Sequence, residues 1–183
     1  MAMTIAQMKT TLEGHSHKEL VALVAEIAKA CPQASDFLAV KFADEDGVAE
    51  ILKRHKQKIR SEFFPQRGFG RMNLREAKKS ISDFKKICRN KALEIDLMLY
   101  YVENCVEFTA EFGDISETFY NSAESVYGQI VKAVNYEGEM MYERFADRLL
   151  HAAENACQGW GFYDTMMEMH RKLNWGKHRE GET

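Results

Sequence analysis

Ala92-Leu93-Glu94-Ile95-Asp96-Leu97-Met98-Leu99-Tyr100-Tyr101-Val102-Glu103-Asn104-Cys105-Val106-Glu107-Phe108-Thr109-Ala110-Glu111-Phe112 is the stretch on which the fold turns. Its apolar residues do not keep to one stripe. Leu93, Leu97, Leu99, Tyr101, Val106 and Phe108, with their neighbours, cover most of a helical circumference. A helix that is apolar on most sides must be packed on most sides, so this segment is the expected centre of an all-α protein. Gly113 provides the C-terminal stop. Asp114 with Glu117 reads as the opening of the next helix.

Working toward the N-terminus, Asn73 with Glu76 has the capping-box spacing and starts a helix to about Arg89, with Leu74, Ala77, Ile81 and Phe84 inward. Before it, Val48, Ile51, Leu52, His55, Ile59 and Phe63 recur on one stripe behind the Asp44-Glu45-Asp46 cluster. That cluster puts negative charge where a helix dipole favours it. Ser16 with Glu19 caps a helix carrying Leu20, Leu23, Val24 and Ile27, which ends before Pro32; a short helix from Ser35 to about Phe42 follows.

Toward the C-terminus, Phe119, Tyr120, Val126, Tyr127, Ile130 and Val134 define a helix to about Tyr136. Gly138 punctuates, and Met141, Phe145, Leu149, Ala152 and Ala156 form the next face. Gly159 and Gly161 bracket Trp160, whose ring is expected to fill a helix–helix corner before a last helix bearing Phe162, Met166, Met169 and Leu173. Sustained strand-like alternation is absent. The expected architecture is seven to eight antiparallel helices in a single multi-helical bundle or a short helical-hairpin, solenoid-like stack. Residues 1–175 read as one domain, with helices at 16–43 a candidate loosely attached subdomain and 176–183 a frayed tail.

Composition agrees. The 183 residues are 45% hydrophobic and 29% charged, with two prolines and eleven glycines, which excludes collagen-like and low-complexity classes. The longest apolar runs, Leu20 to Ala25 and Leu97 to Val102, fall far short of the roughly twenty residues a membrane span needs. No secretion-signal pattern is visible in the first thirty residues. Cys31, Cys88, Cys105 and Cys157 are widely spaced, with no zinc-type pair, and read as small apolar residues in a reducing compartment. The expected location is cytoplasmic.

Charge is unevenly distributed. The net value is −3, yet residues 48–91 hold 14 Lys/Arg against 4 Asp/Glu while residues 92–168 hold 3 against 15. Such a split is either a surface for an anionic partner or two segments that neutralise each other, within one molecule or between copies.

Three stretches together resemble a bacterial domain-of-unknown-function family of small helical proteins. They are Phe63-Phe64-Pro65-Gln66-Arg67-Gly68-Phe69-Gly70, then Asp96 to Glu103 running through Glu107-Phe108-Thr109 to Ile115, and Gly159-Trp160-Gly161-Phe162-Tyr163-Asp164. The resemblance spans residues 50–165. It implies a helical fold and a bacterial cytoplasmic origin, and it transfers no catalytic residue.

Two sites suggest themselves from the residues. The first is the loop holding Arg67, Gly68, Gly70, Arg71 and Asn73, where two glycines permit an anion nest, two arginines flank it, and a helix N-terminus follows. The spacing of a nucleotide-hydrolysing P-loop is missing. The favoured reading of the same loop is a tight connection, with Phe63, Phe64 and Phe69 plugging the core while Arg67 and Arg71 pair with the acidic segment. The second is the acidic stripe of Asp96, Tyr100, Glu103, Glu107 and Glu111, three or four residues apart on one helix face. Its expected role is a salt-bridge seam against Arg75, Lys78, Lys79, Lys85 and Lys86 of the preceding helix. A metal at Glu103, Glu107 and Glu111 is the weaker alternative, because the Glu-x-x-His pairs of ferritin-like sites are missing.

The function that follows is a non-enzymatic interaction or scaffold module, self-associating through its basic (48–91) and acidic (92–168) segments, with no cofactor. The alternative is an anion-binding protein or enzyme that recognises a phosphorylated or carboxylated ligand at the Arg67–Arg71 loop. Nucleic acid and membrane are not expected partners: the pI near 6.1 argues against generic phosphate affinity.

Overall fold

A computed structural model of the chain describes residues 3–42, 44–68 and 70–174, and the regular structure among them is entirely helical. The helices are α1 (Ile5–Glu13), α2 (His17–Ala30), α3 (Pro32–Phe42), α4 (Glu45–Phe63), α5 (Leu74–Ile87), α6 (Lys91–Phe112), α7 (Glu117–Glu137), α8 (Glu139–Glu154) and α9 (Phe162–His170), with a 3₁₀ turn at Gly159–Gly161. Nine helices among the described residues exceed the seven to eight expected. The extra one is α1, opened by a Thr4–Gln7 capping box in which the Gln7 N–H donates to Thr4 Oγ1 and the Thr4 N–H donates to Gln7 Oε1. Phe69 and the segment from Trp175 onward, including the expected frayed tail, lie outside the described residues.

The chain divides into two compact units, Met1–Val48 and Ala49–Thr183. In the first, α2 packs on α3. The Ser16–Glu19 box caps α2 as expected, and Pro32 takes the first position of α3, where its missing N–H costs nothing. No apolar side chain of α1, α2 or α3 is buried; Val21, Val24 and Ile27 of α2 are about half exposed.

The second unit is built around α6. Thirteen of its twenty-two residues are buried, covering the helix except for the face of Asp96, Tyr100, Glu103, Glu107 and Glu111. Helices α5, α7 and α8 pack on its backbone, and α9 packs on α7 and α8. Helix α4 meets it through longer side chains: the Phe63 ring lies edge-on to Tyr101 and Phe108 at 5.8 and 6.0 Å. The α4 stripe reads as expected, with Ile51, Leu52, His55, Ile59 and Phe63 buried. His55 Nδ1 lies 2.9 Å from Ser80 Oγ, and that hydroxyl donates to the His55 carbonyl, which ties the buried His55 of α4 to α5. Cys88 and Cys105 are buried and Cys31 and Cys157 half-buried, all as free thiols.

Two local expectations are corrected. The N-cap of α7 is Ser116, whose Oγ accepts from the Phe119 N–H, and not Asp114. Asp114 is taken by long-range donors instead: the Tyr120 hydroxyl at 2.5 Å and the Trp160 indole N–H at 2.8 Å. Trp160 fills no corner. It is 63% exposed, in the left-handed region at φ +53°, and a Cβ on neighbouring Gly159 would fall 2.6 Å from Asp114 Oδ1. No described helix is long and apolar enough to cross a membrane.

Candidate functional site

The electrostatics of the second unit separate used charges from unused ones. The acidic stripe of α6 is a salt-bridge seam, but its cations come from α4 and α8 more than from α5. Lys56 reaches Asp96 at 2.6 Å, and Arg60 grips Glu107 with both terminal nitrogens while donating to Asn104 Oδ1 at 2.9 Å. Arg148 of α8 donates to both Glu103 oxygens at 2.9 and 3.0 Å and to Asp96 at 2.5 Å, the bidentate geometry that suits a guanidinium. From α5 only Lys85 takes part, meeting Glu94 at 2.6 Å beside Lys91 at 2.9 Å. Arg75, Lys78, Lys79 and Lys86 do not reach the stripe; Lys79 and Lys86 pair within their own helix.

These pairs set the protonation of the stripe. Burial would raise the Asp96 carboxyl, but Lys56 and Arg148 outweigh it and hold it below the usual carboxylate range. Glu107 is lowered by the hydrogen bonds from Arg60. Among the described residues no group of three or more His, Cys, Asp or Glu side chains is placed to hold a metal ion. Of the metal alternative, Glu103 and Glu107 are each bound to an arginine.

The loop after α4 is different. It doubles back on the end of that helix: the Met72 N–H donates to the Glu62 carbonyl at 2.8 Å, supplying a partner to a carbonyl the helix leaves unused. Gly70 passes so close that a Cβ there would stand 2.1 Å from the Phe63 carbonyl oxygen, and Gly68 takes φ +77°. Met72 sits at φ +46°, which costs a side-chain-bearing residue about 1–2 kcal/mol. Asn73 Oδ1 accepts from the Glu76 N–H and caps α5, while the Glu76 carboxylate turns to Lys79.

This fold-back opens a surface pocket of about 330 Å³ lined by Ser61, Glu62, Pro65, Arg67 and Arg71. Two of the five expected site residues, Arg67 and Arg71, line it; Gly68, Gly70 and Asn73 shape the loop. Neither arginine forms an ion pair with a described residue. Phe63 and Phe64 do pack inward, Phe64 edge-on to Phe108 at 5.7 Å and under the Arg60 guanidinium at 3.9 Å. Ser61 and Glu62 are pocket residues that the sequence reading missed. The available signal was that Glu62 is the only acid between Glu50 and Glu76.

The fold and the pocket define an all-helical protein whose second unit is arranged round one buried helix, with two arginines that form no ion pair with a described residue at the loop that ends α4. The chain belongs to the family of unknown function DUF6155, which matches residues 9–172. No curated protein and no solved structure matches it.

Proposed function

We propose that the protein is a binding module that takes a small anionic ligand, phosphorylated or carboxylated, in the pocket at the Arg67–Arg71 loop. One observation carries this reading: two arginines line a pocket of about 330 Å³, the size of small-ligand sites, without an ion-pair partner. Elsewhere in the second unit Lys56, Arg60, Lys85 and Arg148 are each paired with a carboxylate of α6. The charged and polar lining of Ser61, Glu62, Arg67 and Arg71 suits the binding of a charged ligand. A thermal-shift panel of phosphate, sulfate and short carboxylates tests it. The expected result is an upward shift with one anion class, about 2.7 kcal/mol at a hundredfold excess over Kd. The double variant Arg67→Ala/Arg71→Ala should keep its own melting temperature and lose that shift. A flat panel, or a shift that survives the double variant, overturns the proposal.

A second reading, self-association, has a specific observation in its favour. Val21, Val24 and Ile27 are 55%, 45% and 46% exposed on α2. Pairing α2 antiparallel with a second copy about Val24 sets Val21 against the copy's Ile27 and Glu19 against its Lys29. Apolar and charged positions therefore match in one register, as antiparallel helix pairs require. Light scattering at micromolar concentration should give a dimer that Val24→Asp reverts to monomer.

A further inference from the structure

We infer that the ligand of the Ser61–Arg71 pocket is an amino-carboxylate, its carboxylate held by Arg67 and Arg71 and its ammonium group by Glu62. This rests on the anion-binding reading above and specifies it. Glu62 lines the same pocket as the two arginines. It is half-buried, and its Oε2 is sealed from solvent without a hydrogen-bond partner. A carboxylate oxygen removed from water and left unbonded is costly, and the cost is relieved only by a donor, most effectively a charged one.

Two possible donors that line the same pocket are not used. Glu62 shares a pocket of about 330 Å³ with Arg67 and Arg71, yet no ion pair joins it to either. On α6, by contrast, Asp96 and Glu103 share Arg148, and Glu94 draws two lysines. Glu62 is held in place by its backbone: it stands in the last turn of α4, its carbonyl receives the Met72 N–H, and Gly70 packs against the same turn. Opposite charges fixed apart in one small pocket complement a molecule whose own charges are separated. A purely anionic ligand would meet Glu62 as a repulsive neighbour, which is how a site selects against it.

The probes are two matched series, glycine, β-alanine, 4-aminobutyrate and 6-aminohexanoate against acetate, propionate, butyrate and hexanoate, titrated by calorimetry into the full chain. At least one amino acid should bind tenfold or more tightly than the carboxylate of equal length. Glu62→Gln, which keeps the shape and removes the charge, should erase that preference while leaving carboxylate affinity unchanged or improved. N-acetylation of the preferred ligand should erase it without any change to the protein. If the carboxylates bind through Arg67 and Arg71 and the ammonium group adds nothing, the inference falls and the anion-binding reading stands. If neither series binds and phosphate does, the ligand is a phosphorylated one and the inference again falls. If no anion binds, both fall together.

Discussion

Met72 and Trp160 are the two non-glycine residues with positive φ among those described, and each is held by a hydrogen bond from elsewhere in the fold. Met72 is fastened by its own N–H to Glu62, Trp160 by its indole N–H to Asp114. The Met72 acceptor is the neutral Glu62 carbonyl, worth about 0.5–1.5 kcal/mol, whereas the charged Asp114 acceptor of Trp160 contributes about 1.5–3 kcal/mol, enough to offset a left-handed residue. His170 carries a different kind of local tension. Burial beneath α7 and α8 lowers its pKa, with Glu154 opposing weakly and the Tyr127 hydroxyl 3.3 Å from Nδ1. An unfolded histidine titrates near about 6.5, so below that value the unfolded chain binds the proton more readily than the folded one. The His170 contribution to stability is therefore complete above about pH 6.5 and declines as pH falls toward the lower folded value. Melting temperatures measured from pH 7.5 to 5 should fall less steeply in His170→Gln than in the parent chain; identical slopes would refute this.

At the scale of elements, α6 was legible because its apolar residues cover all but one narrow acidic face, a property of composition within one segment. The Ser16 cap, the α4 stripe and the stops at Gly113 and Gly138 were legible for the same local reason. What α6 pairs with was not. Chain order suggested α5, whereas Lys56, Arg60 and Arg148 reach back or forward 40 to 52 residues to Asp96, Glu103 and Glu107. Periodicity shows which side of a helix is polar and is silent about which neighbour covers it. The same limit hid Glu62, which becomes a pocket residue only when the loop folds back over it. Asp96 is the hinge of the seam, since it joins α4, α6 and α8. Asp96→Asn leaves Lys56 without its anion, and because Lys56 and Arg148 are partly solvated the loss should be modest, about 1–2 kcal/mol by urea unfolding at pH 7. The lowered Asp96 pKa fixes the sign with pH. The stabilisation is present above the unfolded value of about 3.9 and is lost as pH falls through the lower folded one, so the two chains should converge only in acid below the unfolded value.

For the molecule as a whole, four of the fourteen cations of residues 48–91 (Lys56, Arg60, Lys85 and Lys91) are met within the chain by three of the fifteen acids of residues 92–168 (Glu94, Asp96 and Glu107). The remaining charges keep association by charge asymmetry as one route to a second copy. The α2 stripe is the other, and the two respond differently to salt. A dimer held by Val21, Val24 and Ile27 should keep its mass by light scattering from about 0.05 to 1 M NaCl, since exposed Glu19–Lys29 pairs contribute under about 1 kcal/mol each. A dimer held by opposed charge would dissociate as the Debye length shrinks from about 10 Å at 0.1 M to 3 Å at 1 M.

The Asp114 clasp also gives the protein an optical handle. Trp160 is one of two tryptophans in the chain, and its ring is solvent-facing yet fixed by a carboxylate that also holds Tyr120. Any event that parts the α6–α7 connection from the Gly159–Gly161 turn must cut that indole hydrogen bond. In a Trp175→Phe background the emission of a single native fluorophore therefore reads out the closure of this corner, with no label attached.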